Sequence, residues 1–240
     1  MTTWSFFIRS SMKKQDNSSK ESWEAFESLR TEKRLRVLDA AMDEFAEHGP
    51  AAASVNRIVR KGGIAKGSLF SYFGSKDGLL EYLFRASVGR FKGPLKRVRE
   101  TTRDQDVFLR LEASFLAGVD FLSEHPRIYR LYLHVLFQEN FPLRERFLAE
   151  VRQYAAKYLR GLVDDGVERG ELAPGLDRDL AVFLLDALWD RLLQALCVPG
   201  MDGGAGLYGL DREAAAERVR ALVRLLRSGM AAESKASEDV

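Results

Sequence analysis

Apolar residues recur at three- and four-residue intervals along most of the 240-residue chain, the spacing of helices that bury one side. Leu35, Leu38, Ala41, Met42 and Phe45 form such a stripe over residues 31–47, and Gly49-Pro50 ends it. Two short helices follow. Ser54 is suited to cap the first, in which Ile58 and Val59 face inward. Residues 61–63, Lys-Gly-Gly, close it, because glycine takes left-handed backbone angles without steric penalty. Ile64 plugs the turn, and the second helix spans residues 66–73 with Leu69 and Phe73, four apart, on its buried side. Ser75 caps a further helix whose apolar side is Leu79, Leu80, Leu83 and Phe84, ending at Gly93-Pro94. Trp23, Phe26 and Leu29 suggest an amphipathic lead-in packed on the first long helix. Five more helices are expected near 105–124, 127–139, 142–166, 177–197 and 211–228, and no internal repeat is evident. No segment alternates β-branched and polar residues, so the expected fold is all-α: a three-helix head followed by a helical bundle.

Residues 54–76 carry the most specific chemistry. Two helices joined by a tight glycine turn make a helix-turn-helix, whose second helix enters the major groove. The outward residues of 66–73 suit that role. Lys66 can reach a guanine edge or a phosphate, Ser68 and Ser71 can donate to either, and Phe70 can touch a thymine methyl. Gly67 lets the backbone approach closely, and Tyr72 lies along the same edge. Lys76, beside a helix N-terminus, forms a candidate phosphate clamp.

The run from Arg34 to Gly49, then 54–64, then Lys66-Gly-Ser-Leu-Phe-Ser-Tyr-Phe-Gly-Ser-Lys76 and Leu79-Leu80, resembles the DNA-binding domain of the TetR family of regulators over residues 31–91. The resemblance implies a homodimer, a helical C-terminal ligand domain, and repression relieved by a small molecule. By position it assigns Lys66, Gly67, Ser68, Phe70, Ser71, Tyr72 and Lys76 to DNA contact, with Ser54 and Asn56 from the preceding helix. Three positions depart from the family pattern. Ala65 stands where a capping Ser or Thr is common, Phe70 replaces a frequent Tyr, and Gly62 replaces a frequent Ala. The implied organisation is a flexible tail over 1–28, a DNA-binding domain over 29–92 with its motif near 53–72, a ligand-binding and dimerisation domain over 93–230, and a second tail over 231–240.

Net charge is only +2, but its distribution is uneven. Residues 29–92 hold 12 Lys or Arg against 7 Asp or Glu, the bias that phosphate neutralisation needs. Residues 10–22 are polar and read as disordered. Lys13, Lys14 and Lys20 there are candidate minor-groove contacts, though a tail without a role is the plainer reading. Met12 is an alternative start to Met1. The single Cys197 excludes an intrachain disulfide and reads as a buried structural thiol. No apolar run approaches the roughly 20 residues that span a bilayer, and the cytoplasm is the simplest assignment.

In the C-terminal half, Leu185, Leu188, Trp189, Leu192 and Leu196 of one helix, with Val219, Leu222, Val223 and Leu226 of the next, are wider apolar faces than one core contact needs. The helices 177–197 and 211–228 are therefore the expected homodimer surface. Tyr129, Tyr132, His134 and Gln138, with Phe115, Phe183 and Trp189, are candidate ligand-pocket residues, although aromatic stripes at helical spacing are more often core. An enzyme is disfavoured: the three histidines are scattered, no metal-binding motif is present, and Asp186 with Asp190 reads as a salt-bridging pair. No cofactor is implied. A DNA binder governed by a protein partner, or a nonspecific architectural protein, are the remaining alternatives to a sequence-specific homodimeric repressor released by an effector.

Overall fold

The computed structural model describes residues 17–137 and 141–230, with side chains from Glu21 onward. Among these are ten helices and no strand: α1 (Asn17–Glu27), α2 (Thr31–Ala52), α3 (Val55–Gly62), α4 (Lys66–Phe73), α5 (Lys76–Thr101), α6 (Val107–Glu124), α7 (Pro126–Phe137), α8 (Arg144–Glu168), α9 (Arg178–Cys197) and α10 (Arg212–Met230). They divide into two compact units, the described residues of Met1–Gly93 with His125–Val151, and of Pro94–Glu124 with Arg152–Val240. The units are thus not the consecutive blocks expected on either side of residue 92. Residues 125–151 join the first because α7 lies along α2.

In the first unit, Val37, Leu38, Ala41, Met42 and Phe45 bury the inward side of α2. Its backbone kinks at Gly49 (φ 74°, ψ 168°) and continues helically through Pro50 to Ala52, so the expected stop is a bend followed by one more turn. Leu131 and Val135 of α7 enter the same core. Arg127 at the start of α7 pairs with Asp43 at 2.6 Å and Asp39 at 3.2 Å. α1 begins inside the stretch expected to be disordered, and its principal partner is α4 rather than α2. Trp23 and Phe26 are buried, and the Phe26 ring lies 5.5 Å from Tyr72, 4.8 Å from Phe73 and 5.5 Å from Tyr82. Met12, Lys13, Lys14, the Lys20 side chain and residues 231–240 lie outside the described residues.

α5 runs through Gly93-Pro94 to Thr101 instead of ending there. Pro94 forfeits a backbone hydrogen bond, yet Leu80, Phe84, Val88, Phe91, Leu95 and Val98 keep helical spacing across it, and Leu95 is buried. In the second unit, Phe108, Leu111 and Phe115 of α6, Leu159 and Leu162 of α8, and Leu185, Trp189 and Leu192 of α9 are buried with Val219 and Val223 of α10. The last five belong to the faces expected to extend beyond one core contact, and within the protomer they are core. α9 is apolar around most of its circumference, so periodicity alone does not say which side turns in. Its exposed large apolar residues are Leu180, Phe183 and Leu184, and Leu225 is exposed on α10. Cys197 is exposed rather than buried, and partial burial of its sulfur pushes the thiol up to about 11, away from thiolate chemistry.

Candidate nucleic-acid interface

The turn between α3 and α4 is built as its residues dictate. Ser54 has extended backbone angles (φ −108°, ψ 115°), and its hydroxyl accepts the Arg57 N–H at 3.4 Å. The Ser54 N–H donates in turn to the Glu44 carboxylate at 2.7 Å. Gly63 takes the left-handed conformation (φ 66°, ψ 40°) that closes α3 and sends the chain into α4. Ala65 caps α4 without a side-chain hydrogen bond. Leu69 and Phe73 are buried, which leaves Lys66, Gly67, Phe70 and Ser71 exposed, with Ser68 and Tyr72 at the margins. At Gly67 an added Cβ would meet nothing within 4 Å. Asn56 is exposed on α3. Ser75 caps α5 as expected, its hydroxyl accepting the Gly78 N–H at 3.0 Å.

Three basic groups of the motif, on Arg57, Lys61 and Lys76, are anchored internally. Arg57 closes on Glu44, Nε lying 2.9 Å from each carboxylate oxygen. Lys61 reaches Asp43 at 2.6 Å. Lys76 donates to the carbonyls of Ala51 at 2.9 Å and Ala53 at 3.2 Å. Its ammonium therefore satisfies the C-terminal end of α2, an engagement that the phosphate-clamp reading did not anticipate. Burial works against ionisation at both carboxylates, but hydrogen bonds from Lys61 and Arg127 to Asp43, and from Arg57 and the Ser54 N–H to Glu44, outweigh it and hold both below the usual range. Sequence reasoning passed over Glu44. Its spacing from Val37 and Ala41 places it on the inward side of α2, where a carboxylate needs a partner.

The residues proposed for a ligand pocket do not form one group within either unit. Tyr129 and Tyr132 of the first unit have ring centroids 5.7 Å apart. His134 lies 3.2 Å from the Ala46 carbonyl, an ordinary core arrangement. In the second unit Phe115 and Trp189 have centroids 5.6 Å apart, and the Tyr158 hydroxyl meets Ser114 at 2.7 Å. Phe183 is 70% exposed, on the outside of α9 rather than in the interior. Gln138 lies outside the described residues. A groove of about 430 Å³ in the second unit was not foreseen. Its charged lining includes Arg110 and Arg169, both paired with Asp165. Asp186 and Asp190 flank Arg152 at 3.2 Å and 2.6 Å, the salt-bridging expected of them. No cluster of three or more potential metal ligands occurs among the described residues, and no described helix is long and apolar enough to cross a membrane.

Residues 37–83 match the family described as bacterial regulatory proteins, tetR family, and residues 105–231 match the tetracyclin repressor-like C-terminal domain. The chain is 28% identical over 156 residues to the fatty acid metabolism regulator protein of Bacillus subtilis (strain 168), covering 62% of this chain and 75% of that protein. It is 27% identical over 160 residues to the HTH-type transcriptional repressor KstR2 of Rhodococcus jostii (strain RHA1), covering 65% and 76%. Among solved structures, a TetR family transcriptional regulator from Chloroflexus aurantiacus superposes with a TM-score of 0.66 at 28% identity, over 87% of this chain and 97% of that one. The transcriptional regulator FadR from Bacillus subtilis in complex with stearoyl-CoA superposes with a TM-score of 0.64 at 22% identity, over 81% and 98%.

Proposed function

Because the chain belongs to the tetR family of bacterial regulatory proteins and is a DNA-binding transcription regulator rather than an enzyme, we propose that it is a homodimeric repressor that reads a pseudo-palindromic operator and leaves it on binding a small molecule. α4 is the reading element. Lys66, Ser68 and Ser71 meet base edges or phosphates, Phe70 meets a thymine methyl, and Gly67 admits the DNA backbone to close range, with Asn56, Tyr72 and Lys76 at the edges. The observation that carries this reading is the outward set of α4, small or hydrogen-bonding around one aromatic, on a helix whose other side is fully buried.

DNA binding is assigned to 29–92 and effector binding and dimerisation to 93–230, of which residues 125–151 pack in the first compact unit. Dimerisation uses α9 and α10, which among the described residues leave Leu180, Phe183 and Leu184 of the one and Leu225 of the other exposed. The effector belongs to the fatty-acyl class suggested by the names of the fatty acid regulator and the stearoyl-CoA complex among its relatives. Effector binding shifts the population of dimers away from the spacing that matches two half-sites.

Selection of the purified protein against a random DNA pool at near-physiological salt tests the reading. Enrichment of an inverted repeat supports specific dimeric binding; retention that fades as salt rises, without any enriched sequence, refutes it. A rise in melting temperature with long-chain acyl-CoA would then separate effector control from control by a protein partner.

A further inference from the structure

The segment 54–76 contains five basic residues, Arg57, Arg60, Lys61, Lys66 and Lys76, and every one is a nominal phosphate contact. They differ sharply in what already holds them. Arg57 binds Glu44 through two nitrogens, Nε at 2.9 Å from both oxygens and Nη2 at 2.5 Å from one. The Glu44 side chain is 8% exposed and also accepts the Ser54 N–H at 2.7 Å. Lys61 sits 2.6 Å from Asp43, whose other oxygen takes Arg127 at 2.6 Å. Lys76 spends two of its N–H groups on backbone carbonyls and keeps a third. Arg60 and Lys66 are exposed and have no partner among the described residues.

We propose that Glu44 and Asp43 are internal counterions that withhold Arg57 and Lys61 from DNA phosphates, so that Arg60 and Lys66, with the remaining N–H of Lys76, make the motif's backbone contacts while the two carboxylates fix the pose of α3. The proposal rests on the DNA-binding reading. A phosphate competing for Arg57 must replace a two-point, charge-assisted contact and strand a carboxylate that has almost no access to water. Competition for Lys61 is easier at a more exposed pair, but Asp43 is held in place from its other side by Arg127. The functional consequence is a smaller nonspecific footprint. Each phosphate contact adds about −0.9 to the slope of log affinity against log salt, or roughly 3.5-fold in affinity between 50 and 200 mM salt. Withholding cations thus trims the sequence-blind part of binding and leaves the base-reading part.

The test is the salt dependence of full-length protein on a random-sequence duplex, so that no operator is needed. Lys61→Gln should leave the slope unchanged, whereas Arg60→Gln, one residue away, should make it shallower by about 0.9 per bound protomer. Asp43→Asn should release Lys61 and steepen the slope by a similar amount. Lys61→Gln matching Arg60→Gln, or Asp43→Asn behaving as wild type, would overturn the proposal. These positions are exposed enough to tolerate change, and melting curves confirm that each variant is folded. Glu44→Gln, which keeps an acceptor for the Ser54 N–H, should steepen the slope as Asp43→Asn does; a folded Glu44→Gln protein with the wild-type slope also counts against it. Failure of the wild-type protein to bind any duplex at 50 mM salt would instead sink the DNA-binding reading itself.

Discussion

Replacing Gly67 by alanine separates what the fold needs from what DNA needs. Gly67 is the second residue of α4, and a Cβ there meets no protein atom within 4 Å. Nothing in the protein's own packing requires glycine. In a helix interior alanine is favoured over glycine by roughly 0.5–1 kcal/mol, and so close to the helix start the lower figure applies. The melting temperature should therefore rise by about 1–2 °C. The same methyl projects from the face assigned to the major groove, where loss of one well-formed base contact is worth about 1–3 kcal/mol. That corresponds to a roughly 5- to 150-fold loss of affinity. Urea melts and fluorescence anisotropy on the selected duplex should thus move in opposite directions, stability up and binding down. Gly78→Ala supplies the contrast, because its Cβ would stand 1.9 Å from the Phe73 carbonyl oxygen and force α4 and α5 apart; there both quantities fall. If Gly67→Ala gains stability and binds DNA as well as the wild type, α4 does not approach the bases as argued. If it loses stability, the open space around residue 67 is wrong.

Phe26 is fully buried among the rings of Tyr72, Phe73 and Tyr82, so Phe26→Ala should cost about 3–5 kcal/mol in chemical denaturation; a loss under about 1 kcal/mol would mean that α1 is no part of the folded head. Asp43 and Glu44 have depressed pKa values in the folded chain. The unfolded chain therefore takes up protons first, and the stability they confer is complete above the ordinary carboxylate value of about 4 and drains as pH falls through the folded values. The urea midpoint should fall between pH 5 and pH 3, and the fall should be smaller in the Asp43→Asn, Glu44→Gln double variant; parallel curves would show that these groups are not responsible. Phe183→Glu places a charge at a 70% exposed apolar position on α9, and should yield folded monomers in sedimentation with operator binding lost, whereas an intact dimer would move the interface elsewhere.

The helices and the site were not equally legible in the sequence. α3 and α4 were readable to within a residue because their ends are set by local chemistry: a serine cap, a left-handed glycine, and paired apolar residues four apart. Pro94 misled because the rule that proline ends a helix is also local, while the apolar stripe from Leu80 to Val98 that carries α5 past it is a longer-range fact. α9 was legible as a helix but not in its orientation. With leucines on nearly all sides, its sequence holds no contrast from which an inward direction can be taken, and only the packing of Trp189 beside Phe115 decides it. The place of α7 was illegible for the same reason, since its apolar residues fit either a pocket wall or the flank of α2.

Glu44 lies between these cases. Val37, Ala41 and Glu44 share one side of α2 by their three- and four-residue spacing, so a charge on the buried stripe was visible, and a buried charge demands a partner. What the sequence could not supply was which of the nearby cations answers it. Arg57 is 13 residues away and Lys61 is 18 from Asp43, distances at which helix periodicity has no say and only the turn at Gly49 and the cap at Ser54 bring the groups together. The same folding event that shapes the helix-turn-helix therefore selects which of its cations face outward.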